Sequence, residues 1–91
     1  MPRWVLRYTA HARRRMRERG IGEEDVEEAL RSPVQLVYDE HRDTYLALGW
    51  NNVAVVYAPR GCIVEIVTVL RRREYEALLR RLGSRRYKII E

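Results

Sequence analysis

The spacing of apolar and polar residues predicts two helices near the start of the chain. Thr9 is a suitable N-cap for a first helix over 10–19, and Gly20 is the residue type that commonly follows a helix end. A second helix over 23–31 has an acidic first turn and an apolar stripe at helical spacing. The apolar stripe of the first helix is narrow, so most of its circumference is predicted to face water or a ligand.

Short apolar runs separated by turn residues follow, which is typical of strands joined in an antiparallel meander. Residues 3–8, before the first helix, are predicted to form a short edge strand. Helical spacing returns over 72–82, and the tail over 85–91 is predicted to be extended. The four main strands are predicted over 34–38, 44–50, 53–58 and 62–70. This order of elements predicts an α+β fold.

Length and composition indicate one globular domain over residues 1–91. The chain is 46% hydrophobic and 34% charged, which does not fit a disordered protein. The longest apolar run is far too short for a membrane helix, and the start of the chain lacks the apolar stretch of a signal peptide. The single cysteine, Cys62, lies in an apolar run and is predicted to be a small core residue. Together these features predict a cytoplasmic protein.

Charge is strongly segregated along the chain, although the net charge is only +5. Residues 1–20 carry seven arginines and one acid, whereas residues 21–43 carry eight acids and two arginines. Residues 71–91 carry eight basic and three acidic residues. Two basic segments that flank an acidic one predict a polyanion site, with the acidic segment pointing elsewhere. The acidic stripe of the second helix is either solvated or docks a basic partner or a second copy of the chain, so a homodimer stays possible.

The first helix carries the residues with the clearest chemistry. One of its faces, defined by i, i+3, i+4, i+7 and i+8 spacing, consists of His11, Arg14, Arg15, Glu18 and Arg19. Metal-free RNA cleavage needs a base for the 2′-hydroxyl proton, an acid for the leaving oxygen and cations for the charged phosphorus centre. A histidine beside arginines supplies part of that set, but an exposed histidine in this setting is more often a bystander or a phosphate contact than a general base.

The segment from His11 to Leu30, HARRRMRERGIGEEDVEEAL, resembles the opening signature of a small prokaryotic family, domain of unknown function 4258. That family is similar to the RelE, ParE and BrnT toxins, which belong to the barnase, EndoU, colicin and RelE fold group. The resemblance is specific over this segment and looser over the strands.

The resemblance implies a RelE-like fold, in which two N-terminal helices pack on an antiparallel four-stranded sheet and a C-terminal helix follows. It places the site where the first helix meets the sheet, with His11, Arg15 and Arg19 on the helix and Thr68 on the last strand. It also implies a ribonuclease toxin that acts on messenger RNA, often at the ribosome, and that an antitoxin protein neutralises. Inactive binding modules use such folds too, so the resemblance alone does not establish activity.

Strand register tests the position of Thr68. If the hairpin turns, including 51–52, contain two residues, Thr68 shares the bulky apolar face with Tyr57 and belongs to the core. Glu65 then lies on the opposite face with Tyr45 and is the better candidate for a polar cleft. A slip of one residue in one hairpin would undo this assignment, so Thr68 and Glu65 both stay candidate catalytic residues.

Further arginines and one tyrosine are predicted to contact RNA. These residues are Arg13, Arg14, Arg71, Arg72, Arg73 and Tyr87. The tyrosine is placed to stack on a base, although the basic residues near the last helix also suit a role in capping its dipole. Two histidines and one cysteine far apart in sequence make no metal-ligand set, and no glycine-rich phosphate loop is present, so no cofactor is predicted.

The sequence thus predicts a protein that binds RNA or the ribosome, most directly as a toxin-type, metal-independent endoribonuclease. A non-catalytic RNA or ribosome binder and a protein-interaction module on the same fold are the alternatives. Cleavage of messenger RNA separates the first possibility from the second. Growth arrest without RNA fragmentation would indicate the third.

Overall fold

The computed structural model of the chain describes residues 4–83 and 87–90. Within these ranges the chain forms an α+β fold with one mixed sheet. In chain order the elements are β1 (Val5–Tyr8), α1 (Ala10–Arg19), α2 (Glu23–Arg31), β2 (Pro33–Asp39), β3 (Thr44–Gly49), β4 (Val53–Arg60), β5 (Ile63–Arg71), α3 (Arg72–Leu82) and β6 (Tyr87–Ile89). The strand order is β1-β5-β4-β3-β2-β6. β1 runs parallel to β5, and the other neighbouring strands are antiparallel.

Local signals set the helix boundaries, and the predicted helix ranges are confirmed. The Thr9 hydroxyl accepts a hydrogen bond from the Ala12 backbone N–H at 3.0 Å, which caps α1. Gly20 ends α1 in the left-handed region, at φ 64°, where glycine is favoured. No helix in the described ranges is long and apolar enough to cross a membrane.

The predicted sheet of four antiparallel strands is wrong, because the described sheet has six strands and is mixed. The four predicted strands form its centre. β1 adds at one edge, where Val5 lies opposite Ile63 and Tyr8 lies opposite Ile66. β6 adds at the other edge by pairing with β2. Strands of four and three residues carry too little pattern to identify their partners from sequence.

The two faces of the sheet carry separate cores, which we name the α2 face and the α3 face. On the α2 face, α1 and α2 pack onto alternate residues of β4 and β5, including Val55 and Ile66. On the α3 face, Tyr75 and the following turn of α3 pack onto the intervening positions, including Leu46 and Ala54. Successive residues of one strand therefore face different environments.

A three-residue loop corrects the predicted pairing of β3 with β4. The loop spans 50–52, with Asn52 in the left-handed region at φ 63°, whereas a two-residue turn was predicted. The extra residue shifts the register by one position. Tyr45 therefore lies opposite Tyr57 on the α2 face, and the prediction that it shares a face with Glu65 is wrong.

A β-bulge in β5 corrects the predicted position of Thr68. Tyr57 lies opposite Ile66, but Val56 lies opposite Thr68, so Val67 is an additional residue without a partner on β4. Thr68 is thereby moved to the α3 face, and the prediction that it belongs to the apolar face of Tyr57 is wrong. Glu65 also lies on the α3 face, because its chain neighbours pack in the core of the α2 face.

The turn between β4 and β5 corrects the prediction for the cysteine. Cys62 is exposed in this turn and is not a core residue. Gly61 precedes it in the left-handed region, at φ 65°. The apolar run that suggested a buried position begins one residue later, at Ile63.

α2 approaches β3 closely at Gly49. A Cβ at this position would lie 2.7 Å from Ala29 Cα, so only glycine fits without a shift of the helix. The side-chain amide of Asn51 donates to the Asp25 carbonyl oxygen at 3.0 Å, which ties the β3–β4 loop to the same helix. These contacts hold α2 across one end of the sheet.

Candidate nucleic-acid site at the sheet edge

α1 has two accessible flanks, because Ala12 and Met16 are its only buried residues. The flank toward α2 carries Arg13, whose Nη1 lies 2.8 Å from a carboxylate oxygen of Glu23. The Arg13 guanidinium also lies 4.6 Å from the centre of the Tyr8 ring. An ion pair and a cation–π contact therefore hold Arg13 on the α2 side of the helix.

The opposite flank of α1 meets α3 through Arg19. Its Nε donates to Glu74 Oε1 at 2.7 Å, and its Nη2 donates to the second oxygen of the same carboxylate. The hydrogen bond from Arg19 lowers the pKa of Glu74 to about 2, and the same bond raises the pKa of Arg19. The Arg71 guanidinium donates to the Arg19 carbonyl oxygen at 2.6 Å. These contacts join the end of α1 to the start of α3.

Arg15 and His11 occupy the same flank, one and two helical turns before Arg19. The positive charge of Arg15 also lowers the pKa of Glu74. Arg15 Nη1 lies 3.7 Å from Glu18 Oε1, a loose contact between partly exposed groups. His11 is exposed, and its side chain makes no hydrogen bond or ion pair with another residue in the described ranges. This flank presents an imidazole and a guanidinium to solvent.

The strands beside α1 carry a polar surface on the α3 face. We name it the edge strip, and it consists of Arg7, Arg60, Glu65 and Thr68. Arg7 of β1 lies opposite Glu65 of β5, and both side chains point to the α3 face because their chain neighbours pack on the α2 face. Arg60 Nε lies 3.7 Å from Glu65 Oε1. Arg7 and Arg60 are exposed, so the edge strip is accessible.

α1 begins directly beside the edge strip. The Thr9 backbone N–H donates to the Ile66 carbonyl oxygen at 3.1 Å, and the Thr9 hydroxyl donates to the Val67 carbonyl oxygen at 2.9 Å. Both acceptors lie in the segment of β5 that carries the edge strip. His11 follows two residues after this anchor, in the first turn of α1.

The hydroxyl of Thr68 is buried and has no hydrogen-bond partner among the described residues. An unsatisfied buried group of this kind costs about 1–3 kcal/mol. Valine has nearly the same shape and suits a strand equally well, so stability alone does not account for a threonine. Unsatisfied polar groups often mark positions where a side chain has a role other than stability.

The candidate site draws on two parts of the molecule: Glu65 and Thr68 share the α3 face of β5, and His11 and Arg15 share one flank of α1. Arg19 follows on the same flank, but its guanidinium is bound by Glu74. Over residues 4–83 and 87–90, no cluster of three or more His, Cys, Asp or Glu side chains is arranged to hold a metal ion. The candidate residues carry an imidazole, a carboxylate, a hydroxyl and guanidinium groups.

The predicted RNA contacts on α1 and in the tail are dispersed. Arg13 faces α2, as described above, and Arg14 is exposed on the outer side of α1, opposite its buried stripe. Tyr87 belongs to β6, at the edge of the sheet farthest from β1. Its side chain lies outside the described part of the chain. None of these three residues belongs to β1, β4 or β5, the strands that carry the edge strip.

The three arginines at the start of α3 differ in their contacts. Arg71 is bound to α1, as described above. Arg72 Nε donates to Glu76 at 3.1 Å, and its Nη1 donates to Asn52 at 3.3 Å. Arg73 is exposed, with no ion pair to another described residue. Two of the three therefore have partners within the chain, and Arg73 is the most accessible to a ligand.

Sequence reasoning missed Arg7 and Arg60 as members of the site. The alternation of β1 already places Arg7 on the face opposite Leu6 and Tyr8. That signal could not be used, because the partner of such a short strand was unknown. Arg60 lies next to a turn, where the sequence pattern indicates a loop and no particular face.

Comparison with known proteins identifies a family for most of the chain. The family model described as "Domain of unknown function (DUF4258)" matches residues 8–71. The matched range contains α1, α2 and the four central strands, and it ends where α3 begins. Searches of curated proteins and of solved structures found no significant match.

Proposed function

We propose that this chain, which belongs to the family described as a domain of unknown function (DUF4258), binds RNA along the edge strip and the adjoining flank of α1. In this proposal it is a RelE-like, metal-independent endoribonuclease of the toxin type, which an antitoxin protein neutralises. The observation that carries the proposal is the pairing of β1 with β5, which puts Arg7 opposite Glu65, in the strand whose next residues anchor the start of α1 through Thr9.

The charges of this surface suit an RNA backbone. Arg7 and Arg60 are exposed, and Arg15 has only a loose contact with a neighbouring carboxylate. Guanidinium groups bind phosphate oxygens through paired, charge-assisted hydrogen bonds. Glu65 is the acidic member of the edge strip, so cations outnumber anions there. Phosphate binding by these arginines would position the RNA without reading its sequence.

The proposed chemistry assigns a role to each group at this surface. A base removes the ribose 2′-hydroxyl proton as the 2′-oxygen attacks phosphorus, and an acid protonates the 5′-oxygen as its bond to phosphorus breaks. The products are a 2′,3′-cyclic phosphate and a 5′-hydroxyl. His11 and Glu65 are the groups able to transfer these protons, and Arg7 and Arg15 stabilise the charged phosphorus centre. Thr68 is a positioning residue on the strand between them.

A non-catalytic RNA-binding role is favoured by one observation. The family resemblance expects Arg19 to act on the phosphate, but Glu74 binds this guanidinium through two hydrogen bonds. Arg19 reaches a ligand only if that pair breaks. In the alternative role the remaining arginines bind RNA, and His11 transfers no proton.

Paired histidine variants distinguish the two roles. The purified chain is incubated with end-labelled messenger RNA, both free and bound to ribosomes, and cleavage and binding are measured separately. For an endoribonuclease, we expect His11→Ala to reduce cleavage by about 10²- to 10⁴-fold while RNA binding is retained. The matched control is His41→Ala, in the exposed β2–β3 turn, which should leave cleavage unchanged.

Paired arginine variants test the surface itself. Arg7→Gln and Arg60→Gln should each weaken RNA binding and reduce its salt dependence, because each removes a phosphate contact. Arg42→Gln, in the exposed β2–β3 turn, is the control of equal charge. Binding without cleavage by the unaltered chain would support the non-catalytic role. Failure to bind RNA, or binding that depends equally on Arg42, would overturn the site.

A further inference from the structure

A groove of about 730 Å³ opens on the α2 face, between β1 and α2. Its apolar lining comes from both elements and from the residue before β1: Trp4, Leu6, Tyr8 and Leu30. Its rim is formed by charged side chains of α2: Glu23, Glu27 and Arg31. The groove and the edge strip lie on opposite faces of β1, because residues that line the groove alternate with Arg7.

The apolar lining of the groove is accessible. Trp4 is 54% exposed, although tryptophan is usually well buried. Within the described ranges β1 has a strand neighbour on one side only, so its outer backbone edge is open. Soluble proteins generally protect such edges with charges or a covering segment. An accessible tryptophan next to an open edge strand therefore indicates a surface that another chain covers.

A tyrosine row lies on the α2 face and is separated from Tyr8 of the groove by the buried Ile66. Tyr8 lies opposite Ile66, and Ile66 lies opposite Tyr57. The Tyr57 and Tyr45 rings stack with centroids 5.6 Å apart, and the Tyr38 ring centroid lies 5.1 Å from that of Tyr45. Tyrosine and tryptophan are enriched in protein interfaces, because they supply a large contact area with few rotatable bonds.

The rim carries two carboxylates, Glu23 and Glu27, and one guanidinium, Arg31, so its formal charge is −1. The pKa of Tyr8 is raised to about 12, mainly by burial and further by the negative charges of Glu23 and Glu27. Glu23 forms an ion pair with Arg13, whereas Glu27 forms no ion pair with a residue in the described part of the chain. The Glu27 carboxylate is therefore the rim group that can pair with a cationic side chain of a ligand.

We infer that the groove binds a short segment of a protein partner that carries apolar side chains together with lysine or arginine. The apolar side chains contact Trp4, Leu6 and Leu30, and a cationic side chain pairs with Glu27. Because the groove and the edge strip lie on opposite faces of β1, this inference is independent of the proposed RNA site.

A second copy of this chain fits the groove less well than a separate partner. The arginine-rich α1 buries Ala12 and Met16, and its one exposed apolar residue, Ala10, is too small to fill the groove. The exposed isoleucines at 89 and 90 lie by the β6 edge. Contact between the β6 edge of one copy and the β1 edge of the next is head-to-tail, and such contacts tend to propagate into filaments.

Matched peptides test the charge preference of the groove. Two short fluorescein-labelled peptides share the same leucine positions, and their polar positions carry lysine in one and glutamate in the other. Fluorescence anisotropy measures binding to the full chain. We expect the lysine peptide to bind at least about tenfold more tightly than the glutamate peptide. Equal binding of both peptides, or binding of neither, would overturn the inference.

Two variants of α2 test the location. Glu27→Lys should weaken binding of the lysine peptide by about tenfold, because it places like charges together at the rim. Glu28→Lys changes the net charge equally but lies outside the groove lining, so its effect should stay within about twofold. Thermal unfolding checks that both variants fold. Equal effects of the two variants would show a non-specific charge effect and overturn the inference.

Tryptophan fluorescence gives a second readout that needs no charge change. Trp50→Phe removes an exposed residue of the β3–β4 loop and leaves Trp4 as the sole tryptophan. Binding of the lysine peptide should shift the Trp4 emission to shorter wavelength, because the ring loses water contacts. An unchanged emission at saturating peptide would place the peptide elsewhere. Sedimentation of the chain alone is measured in parallel. Self-association that is lost in Glu27→Lys would show that the groove binds a second copy of the chain, which would overturn the inference of a separate partner.

Discussion

The two faces of β1 have opposite chemistry, although they belong to the same four residues. Arg7 points to the α3 face, where the edge strip is polar and mainly cationic. Leu6 and Tyr8 point to the α2 face, where the groove is apolar with an acidic rim. β1 thus separates a polar, mainly cationic side of the sheet edge from an apolar one. The net charge of +5 describes neither face.

Each face depends on a different support. The α2 face depends on the close packing of α2 against β3 at Gly49. The α3 face depends on the link between Arg19 and Glu74, which joins α1 to α3. Because these supports involve different residues, each can be weakened while the other is left in place.

The largest effect is expected from Gly49→Ala, which disturbs the α2 face. The added Cβ would lie 2.7 Å from Ala29 Cα and 2.6 Å from Asn51 Oδ1. Overpacking of this kind costs about 1–3 kcal/mol, and contact with backbone favours the upper end of that range. Urea unfolding measures the loss. Gly61→Asn, in open space at φ 65°, is the control and should change stability by about 0.5 kcal/mol or less. Similar losses in both variants would contradict close packing of α2.

A smaller loss is expected from Glu74→Gln, which weakens the α3 face. The pKa of Glu74 falls from 4.5 to about 2, equivalent to about 3 kcal/mol for a group shielded from solvent. Since 37% of this side chain is exposed, screening reduces the expected loss to about 1 kcal/mol at neutral pH. Glu76→Gln, which breaks an exposed pair within one helix, should cost about 0.3 kcal/mol.

The pH dependence of this loss has a defined sign. The folded pKa of Glu74 lies below the unfolded one, so the stabilisation is complete above pH 4.5 and disappears as the pH falls toward 2. The unaltered chain and Glu74→Gln should therefore converge in stability at low pH. Urea unfolding across this range checks the convergence. A difference that stays constant down to pH 2 would show that the link is not electrostatic.

Removal of one buried hydroxyl from each face should increase stability slightly. Thr68 on the α3 face and Tyr8 on the α2 face both have buried hydroxyls without a hydrogen-bond partner among the residues described here. We expect Thr68→Val and Tyr8→Phe each to stabilise the fold by about 0.5–1 kcal/mol, measured by urea unfolding. The faces should differ in function, because only Thr68→Val should reduce RNA cleavage. Destabilisation by both variants would indicate that ordered water satisfies the hydroxyls.

The smallest effect is expected from Arg13→Gln, on the α2 side of α1. It removes an ion pair with Glu23 and a cation–π contact with Tyr8, both at a half-exposed position. Such contacts contribute about 0.5 kcal/mol, and salt should reduce the ionic part. A double-mutant cycle with Glu23→Gln measures the coupling between the two charges. A coupling that persists at high salt would contradict a solvent-screened pair.

Helix positions could be predicted from the sequence because their signals are local. Thr9, Gly20 and the apolar stripe of α2 act within a few residues of the boundaries that they set. The sheet could be predicted only in part. The positions of the central strands follow from apolar runs and turns, but the partners of β1 and β6 depend on contacts between distant segments.

The candidate site also depends partly on local signals and partly on contacts between distant segments. His11 and Arg15 share a flank because of helical spacing, which the sequence contains directly. Thr68 and Glu65 share a face only because of the extra residue Val67, and no residue type in that apolar run marks a bulge. Arg7 joins them through a parallel pairing that alternation alone cannot identify. Strand register was therefore the limiting step in predicting the site.

The pairing of β1 with β5 also has a consequence for how the protein is made. During synthesis Val5 emerges long before Ile63, its partner 58 positions later, so the edge strand must wait for nearly the whole meander. Closing so long a loop is entropically costly, and contacts at large sequence separation slow folding. Nascent chains therefore expose Leu6 and Tyr8 until β5 is complete. During this interval these exposed apolar residues are accessible to a chaperone.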